Sequence, residues 1–209
     1  KKESFLTKTV ALAMGARHRL LGVPGEERLT GMGVSYCATC DGAFFKDKTV
    51  AVVGGGDVAV EDAVFLARIC RKVYLIHRRD QLRAARILQE RVKELPNVEI
   101  LWDSVVTEIL GENQVSAAVV ENKRLGTSQE LPLEGVFVAV GIEPNTELAQ
   151  GLVELDSQGY VRAGEDGITS EPSIFAAGDI RTKPLRQIVT AVADGANIIT
   201  SLQEYLLRE

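Results

Sequence analysis

An α/β fold built on parallel strands is what the sequence predicts for most of this chain, and three observations predict it. A β-branched apolar run at Thr49 to Val53 is followed at once by Gly54-Gly55-Gly56. A helical pattern follows from Asp57 to Ile69, with Val60, Ala63, Val64 and Ala67 on one face, and Lys72 to Ile76 reads as the next short strand. Strand, glycine turn, helix, strand is one βαβ unit, whose crossover brings the second strand parallel to the first.

The remaining elements follow from period and punctuation. Val10 to Ala16 is a short apolar run containing Gly15, expected as a buried strand entering a turn, with nothing upstream to supply its partners. Gly22-Val-Pro-Gly25 is turn chemistry and a candidate boundary. Leu82, Ala85, Leu88, Val92 and Leu95 lie on one face of a second helix that Pro96 stops. Beyond Pro96 the texture changes to strands at Val98 to Leu101, Val105 to Leu110 and Val115 to Val120. A polar loop from Asn122 to Gln129 and a strand at Val136 to Val140 come next, and Gly141 to Thr146 reads as a linker. The last part gives Tyr160-Val161, a strand at Ile174 to Ala177 and a terminal helix from about Leu185, led by Pro184.

Composition narrows the function. With 209 residues, 45% hydrophobic, the chain has the balance of an ordinary globular protein rather than a disordered or collagen-like one. No apolar run approaches the roughly 18 residues of a spanning helix, and no signal-peptide pattern opens the sequence, so the expectation is a cytoplasmic protein with no membrane partner. The 29 acidic residues against 24 basic ones leave a net charge of −5, the wrong sign for a nucleic-acid binder. Three cysteines and two histidines make neither a disulfide framework nor a good zinc inventory.

Four constellations carry chemistry. Gly54-x-Gly56-x-x-Ala59 lies between a strand and a helix beginning at Asp57, the context in which such a turn holds a dinucleotide pyrophosphate at the helix N-terminus. A tight turn alone is the simpler reading. At the end of the following strand stand His77-Arg78-Arg79, with Arg83 one helical turn later. An acidic residue there would accept from a ribose 2′-hydroxyl, whereas guanidinium groups suit a 2′-phosphate, so NADP(H) is favoured over NAD(H). The bland alternative is a solvated basic loop partly neutralised by Asp80. Cys37-Ala-Thr-Cys40-Asp41 pairs two thiols able to close a small disulfide with a carboxyl able to move the accompanying proton. Half a zinc site is its alternative, and no second ligand pair completes one. Ile174-Phe-Ala-Ala-Gly178-Asp179 could be any strand-to-loop turn, or an acidic group placed to hold ribose or ribityl hydroxyls beside a phosphate. Cys70 reads as a small buried hydrophobe.

Taken in order, Cys-Ala-Thr-Cys-Asp, Gly-Gly-Gly-Asp-Val-Ala, His-Arg-Arg-Asp, Val-Gly-Ile-Glu-Pro-Asn-Thr and Phe-Ala-Ala-Gly-Asp with Arg186-Gln187 resemble the bacterial-type, low-molecular-weight NADPH-dependent thioredoxin reductases along essentially the whole chain. The resemblance implies a Rossmann-like flavoprotein with two dinucleotide-binding domains, the NADPH domain inserted in the FAD domain. It would place 1–22 and 144–209 in the FAD domain and 23–143 in the NADPH domain, with hinges near Gly22 to Gly25 and Gly141 to Thr146. It implies that Cys40 lies against the flavin, that Cys37 attacks thioredoxin disulfide and that Asp41 donates the proton. Gly54, Gly56, Asp57 and Ala59 would hold the NADPH pyrophosphate, His77, Arg78, Arg79 and Arg83 its 2′-phosphate end, and Gly178, Asp179, Arg186, Gln187 and Ile188 would contact FAD. The implied electron path is NADPH to FAD to the Cys37/Cys40 disulfide to thioredoxin, in a homodimer with no resident metal.

Two departures stand out. Family members begin with a further strand, glycine turn and helix that grip the ADP part of FAD, and no such motif precedes Lys1. The family's Ala-Thr-Gly is here Ala13-Met14-Gly15. The alternative functions are an NADPH-binding module without turnover, or a related reductase serving another redox partner with NADH or ferredoxin, against which the arginine pair argues.

Overall fold

The computed structural model describes residues 3–208. Its strands in chain order are β1 (Val10–Leu12), β2 (Ala16–His18), β3 (Val34–Ser35), β4 (Thr49–Gly54), β5 (Lys72–Ile76) and β6 (Val98–Leu101). They continue with β7 (Ser104–Leu110), β8 (Ala117–Asn122), β9 (Thr127–Pro132), β10 (Gly135–Ala139), β11 (Ile142–Pro144) and β12 (Ile174–Ala176). The helices are α1 (Ala38–Asp41), α2 (Asp57–Leu66), α3 (Arg86–Lys93) and α4 (Ile188–Arg208). Arg19–Gly141 forms one compact unit, and the described residues on either side of it form the other.

The Arg19–Gly141 unit is organised by β4. Residues Thr49 to Val53 are all buried, the continuous apolar run expected of a central parallel strand covered on both faces. Alternate side chains feed two cores: Val50 and Val52 pack with Ala59, Val60, Ala63 and Leu66 of α2, whereas Ala51 and Val53 pack with Ile109, Leu133 and Val136. Each fully buried valine or leucine contributes about 1.5–3 kcal/mol through the water it leaves. Five strands pair in the order β3-β10-β4-β5-β6, all parallel. The chain moves outward from β4 through β5 to β6 on one side, while β10 and β3 lie on the other. The crevice past the carboxyl ends of β4 and β10 is therefore where connections diverge, the place such sheets bind ligands. The second core is covered by an antiparallel sheet, β7-β8-β9.

Several elements differ from their expected form. The second helix starts at Arg86 rather than near Leu82, because the 83–85 backbone is drawn to the glycine turn: Arg83 N–H donates to Gly55 O at 2.7 Å and Ala85 N–H to Asp57 Oδ1 at 2.7 Å. Leu82 is still buried, on the same core as Val92. The helix after the glycine turn ends at Leu66, and 67–70 close it through single turns. The polar loop from Asn122 to Gln129 is instead a hairpin, in which Asn122 Oδ1 accepts from Arg124 and Leu125 N–H before β9. β9 exposes Thr127 to Glu130, so this edge strand lacks the apolar alternation that announces a strand.

In the other unit, Gly141 to Thr146 is no plain linker, since β11 pairs antiparallel with β2, Pro144 opposite Ala16. β1 finds its parallel partner downstream, Ala11 opposite Phe175 of β12. Tyr160-Val161 forms no strand, and Val161 makes isolated bridges to Leu155 and Arg181. The terminal helix begins at Ile188, where Thr190 Oγ1 accepts from Gln187 N–H at 3.1 Å and satisfies a donor of the first turn.

Candidate active site

The glycine turn at the end of β4 owes its sequence to three different spacings. A side chain at Gly54 would come within 2.6 Å of Ala59 Cβ and 2.5 Å of Ala139 O, so Gly54 and the fully buried Ala59 let α2 close onto the strand. A Cβ at Gly55 would drive into the His77 ring. A Cβ at Gly56 would meet nothing within 4 Å, so no packing within this unit demands that glycine, and its backbone stands open to an approaching group. Gly56 is also the residue before α2, whose free N–H groups and dipole favour an anion. Asp57 is committed elsewhere, to the Ala85 N–H.

Past the carboxyl ends of β4, β5 and β10 lies a cleft of about 370 Å³, lined by Gly54 and Gly55, His77, Arg78 and Arg83, with Arg19 on its rim. Gly56, Asp57, Ala59 and Arg79 do not line it. Arg78, Arg79 and Arg83 are exposed, and among the described residues none forms an ion pair with a carboxylate, Asp80 included. His77 is 4% exposed, with Nε2 at 2.9 Å from Gln81 O. Burial holds its imidazole below the usual value; carbonyl contacts at Gln81 and Gly54 oppose this, while Arg83 and Arg79 reinforce it. His77 thus braces the glycine turn against the arginine loop.

Cys37 and Cys40 are joined in a disulfide on the turn of helix that follows β3. Cys37 is half-buried and Cys40 exposed, the accessibility a disulfide needs to exchange with a partner thiol. Asp41 ends that helix, and its Oδ2 accepts from Ser35 Oγ at 2.6 Å. Cys70 is buried beneath α2, and burial, with Asp47 and Glu134 adding to it, pushes its thiol up to about 11. Among the described residues no cluster of three or more His, Cys, Asp or Glu side chains could hold a metal ion.

Gly178, Asp179, Arg186, Gln187 and Ile188 belong to the other unit. Gly178 has φ +77°, a conformation that favours glycine, and its N–H donates to Asp194 Oδ2 at 2.9 Å. Asp194 also takes both Arg181 and Lys183, the latter at 2.8 Å, all three side chains being buried. Burial works to raise the Asp194 carboxyl, but hydrogen bonds from Arg181, Lys183 and Gly178 outweigh it and hold the group at about 2. Asp179 Oδ1 and Arg186 Nε are buried with no hydrogen-bond partner among the described residues, while the Arg186 guanidinium lies over the Tyr160 ring at 4.0 Å. Ile188 is fully on the surface.

Sequence reasoning missed Gly55, Ser35, Arg19 and Asp194. The run of three glycines flagged the first, since a plain G-x-G motif leaves its middle position free. A charged residue between Ala191 and Ile198 on a core-facing helix stripe flagged the last. Nothing in the local pattern marks Ser35 or Arg19.

The family model of pyridine nucleotide-disulphide oxidoreductases matches residues 1–195. A thioredoxin reductase of Peptoclostridium acidaminophilum is 46% identical over 99% of this chain and 67% of its own length. The chain belongs to the thioredoxin reductase family. A family member from Listeria monocytogenes is 45% identical over 98% of this chain and 64% of its own length. The crystal structure of the Streptococcus pyogenes family member superposes with a TM-score of 0.91 at 49% identity, covering 97% of this chain and 66% of that one. The chain therefore spans about two thirds of the length of these family members.

Proposed function

We propose that this chain is the NADPH-binding and disulfide-bearing part of a thioredoxin-disulfide reductase, together with a portion of its FAD domain. The observation that carries this reading is the placement of an accessible Cys37–Cys40 disulfide and an arginine-lined cleft on the carboxyl ends of one parallel sheet. Arg19–Gly141 is then the NADPH domain. The open Gly56 backbone and the α2 N-terminus take the pyrophosphate, and the unpaired Arg78, Arg79 and Arg83 take the 2′-phosphate, which NADH lacks. His77 serves by holding the turn and the arginine loop together rather than by carrying charge.

The flanking unit fits the flavin end. Asp179 Oδ1 is a buried acceptor and Arg186 Nε a buried donor, each unmatched among the described residues, as groups placed for a polar ligand would be. FAD, when bound, relays a pair of electrons between nicotinamide and disulfide. Asp179 would offer it an acceptor for a hydroxyl, and Gly178, Arg186, Gln187 and Ile188 would contact it, as the resemblance implies. Asp194 anchors that corner through the Gly178 N–H. As the resemblance implies, the intact parent would act as a homodimer with thioredoxin as its partner, and no helix of the described residues is long and apolar enough to cross a membrane.

In the dithiol state, the thiolate of Cys37 attacks thioredoxin disulfide, Cys40 resolves the mixed disulfide, and Asp41 handles the proton. The step is testable without flavin. Chain reduced with dithiothreitol and desalted should lose two titratable thiols when mixed with oxidised thioredoxin, which gains two. Cys37→Ser should abolish the transfer. An unchanged thiol count in the wild-type chain overturns the reading.

A further inference from the structure

Glu26 is 1% exposed, yet among the described residues it forms no ion pair. A buried carboxylate without a counter-charge is costly unless hydrogen bonds replace the water it has lost. Three donors do so here: Oε1 accepts from Leu21 N–H at 2.9 Å and from Tyr36 O–H at 3.1 Å, and Oε2 accepts from Gly22 N–H at 2.8 Å. The backbone of Glu26 is itself fixed by the turn it occupies. Its N–H donates to Val23 O at 3.2 Å, and Thr30 Oγ1 donates to its carbonyl at 2.9 Å.

The two N–H groups that Glu26 takes belong to a segment of the nucleotide cleft. Arg19, Leu20 and Leu21 line that cleft together with Gly54, His77 and Arg83. β2 ends at His18, and 19–23 form neither strand nor helix. Arg19 N–H donates to Gly141 O at 3.0 Å, which fixes one end of this wall. The Glu26 carboxylate grips the other end, where Gly22 turns the chain with φ +73°. Leu21, Val23 and Tyr36 pack against the second core, whose buried members Val53, Ile76 and Val106 also line the cleft. Tyr36 does not line the cleft; it stands immediately before Cys37, the N-cap of α1.

We propose that Glu26 is a positioning residue for the nucleotide: its carboxylate holds the Leu20–Leu21 wall of the cleft in place for a bound dinucleotide, and the Tyr36 hydroxyl keeps the carboxylate turned toward that wall. The proposal rests on the reading that the cleft takes NADPH. A wall that has to be ordered on binding lowers affinity, whereas one already held does not. Glu26 bonds to the wall and not to the arginine loop, so it acts on the parts that NADPH and NADH share rather than on the 2′-phosphate.

Glu26→Gln keeps the shape of the side chain and removes one acceptor oxygen. Whichever way the carboxamide turns, its NH2 faces either the Leu21 N–H or the Gly22 N–H, and that bond is lost. Calorimetric titration of the folded 209-residue variant should show NADPH and NADH both weakened about tenfold, with their ratio unchanged. Tyr36→Phe should weaken both by about twofold to threefold, although position 36 does not line the cleft. Amide hydrogen exchange reads the wild-type chain directly: the Leu21 and Gly22 N–H groups should be protected, and one of them should exchange fast in Glu26→Gln. Unchanged affinities in folded Glu26→Gln, whatever its unfolding midpoint, would leave Glu26 a structural residue only and overturn the proposal. Unchanged affinities in Tyr36→Phe do the same should Glu26→Gln not fold, and so do unprotected Leu21 and Gly22 amides in the wild type. A loss confined to NADPH also overturns it, since the effect would then lie at the 2′-phosphate. A wild-type chain that binds neither nucleotide overturns the reading of the cleft itself, and the role of Glu26 with it.

Discussion

The two compact units treat their polar groups in opposite ways. In Arg19–Gly141 the interior of the site is closed upon itself: His77 with Gln81, Asp57 with Ala85, Ser35 with Asp41. Arg78, Arg79 and Arg83 face outward, with no carboxylate paired to them among the described residues. In the flanking unit, Asp179 and Arg186 bury atoms that no described residue satisfies, and α4 exposes a row of large apolar side chains, Ile188 at 86% and Val192 at 66% among them. The first unit is thus a framework whose buried polar groups satisfy one another, with exposed arginines at its rim. The second keeps buried polar atoms unmatched among the described residues and exposes a helix face.

The largest effect that would break this contrast concerns Asp194. Removing its carboxylate leaves Arg181 and Lys183 buried without a counter-charge, at a cost of about 3–5 kcal/mol. The only tryptophan, Trp102, lies in the Arg19–Gly141 unit. Asp194→Ala should therefore move the unfolding transition seen by far-UV circular dichroism to lower denaturant while Trp102 fluorescence keeps its midpoint. A tryptophan transition that falls equally would mean that the two units melt as one.

Next comes Gly55→Ala. The added methyl meets the His77 ring, an overpacking costing about 1–3 kcal/mol, and the displaced ring pushes the turn and the arginine loop apart. Nucleotide affinity should fall for NADPH and NADH alike, as read by calorimetry, whereas Gly56→Ala, with open space around it, should keep stability and lose affinity alone. Equal stability in both variants would remove His77 from its bracing role.

A smaller, pH-linked effect sharpens the same comparison. The folded Asp194 carboxyl is held at about 2, below its unfolded value, so its contribution is complete at neutral pH and is lost as pH falls from about 5 toward 2. Asp194→Asn should flatten the acid limb of stability measured by circular dichroism in that window. An acid limb as steep as in the wild type would place the sensitivity elsewhere.

The sequence made the central sheet legible because buried parallel strands are written as unbroken apolar runs, as at Thr49 to Val53. The glycine turn, the arginine cluster and the cysteine pair were legible for a related reason: each uses residue types whose chemistry is narrow. β9 escaped because an exposed edge strand needs no apolar face. The late start of α3 escaped because helical spacing at Leu82 and Ala85 says nothing of the two N–H groups that the glycine turn takes away. Ser35 and Asp194 act through contacts with residues 6 and 16 positions along, for which serine and aspartate carry no local mark.

The central claim is that Arg78 and Arg79 read a 2′-phosphate at the end of β5. Calorimetric titration of the wild-type chain and of the Arg78→Ala/Arg79→Ala variant with NADPH and with NADH tests it most directly. The account predicts that NADPH binding weakens by about 1–3 kcal/mol, the loss of charge-assisted hydrogen bonds, while NADH binding barely changes. An equal loss for both nucleotides, or none for either, contradicts it.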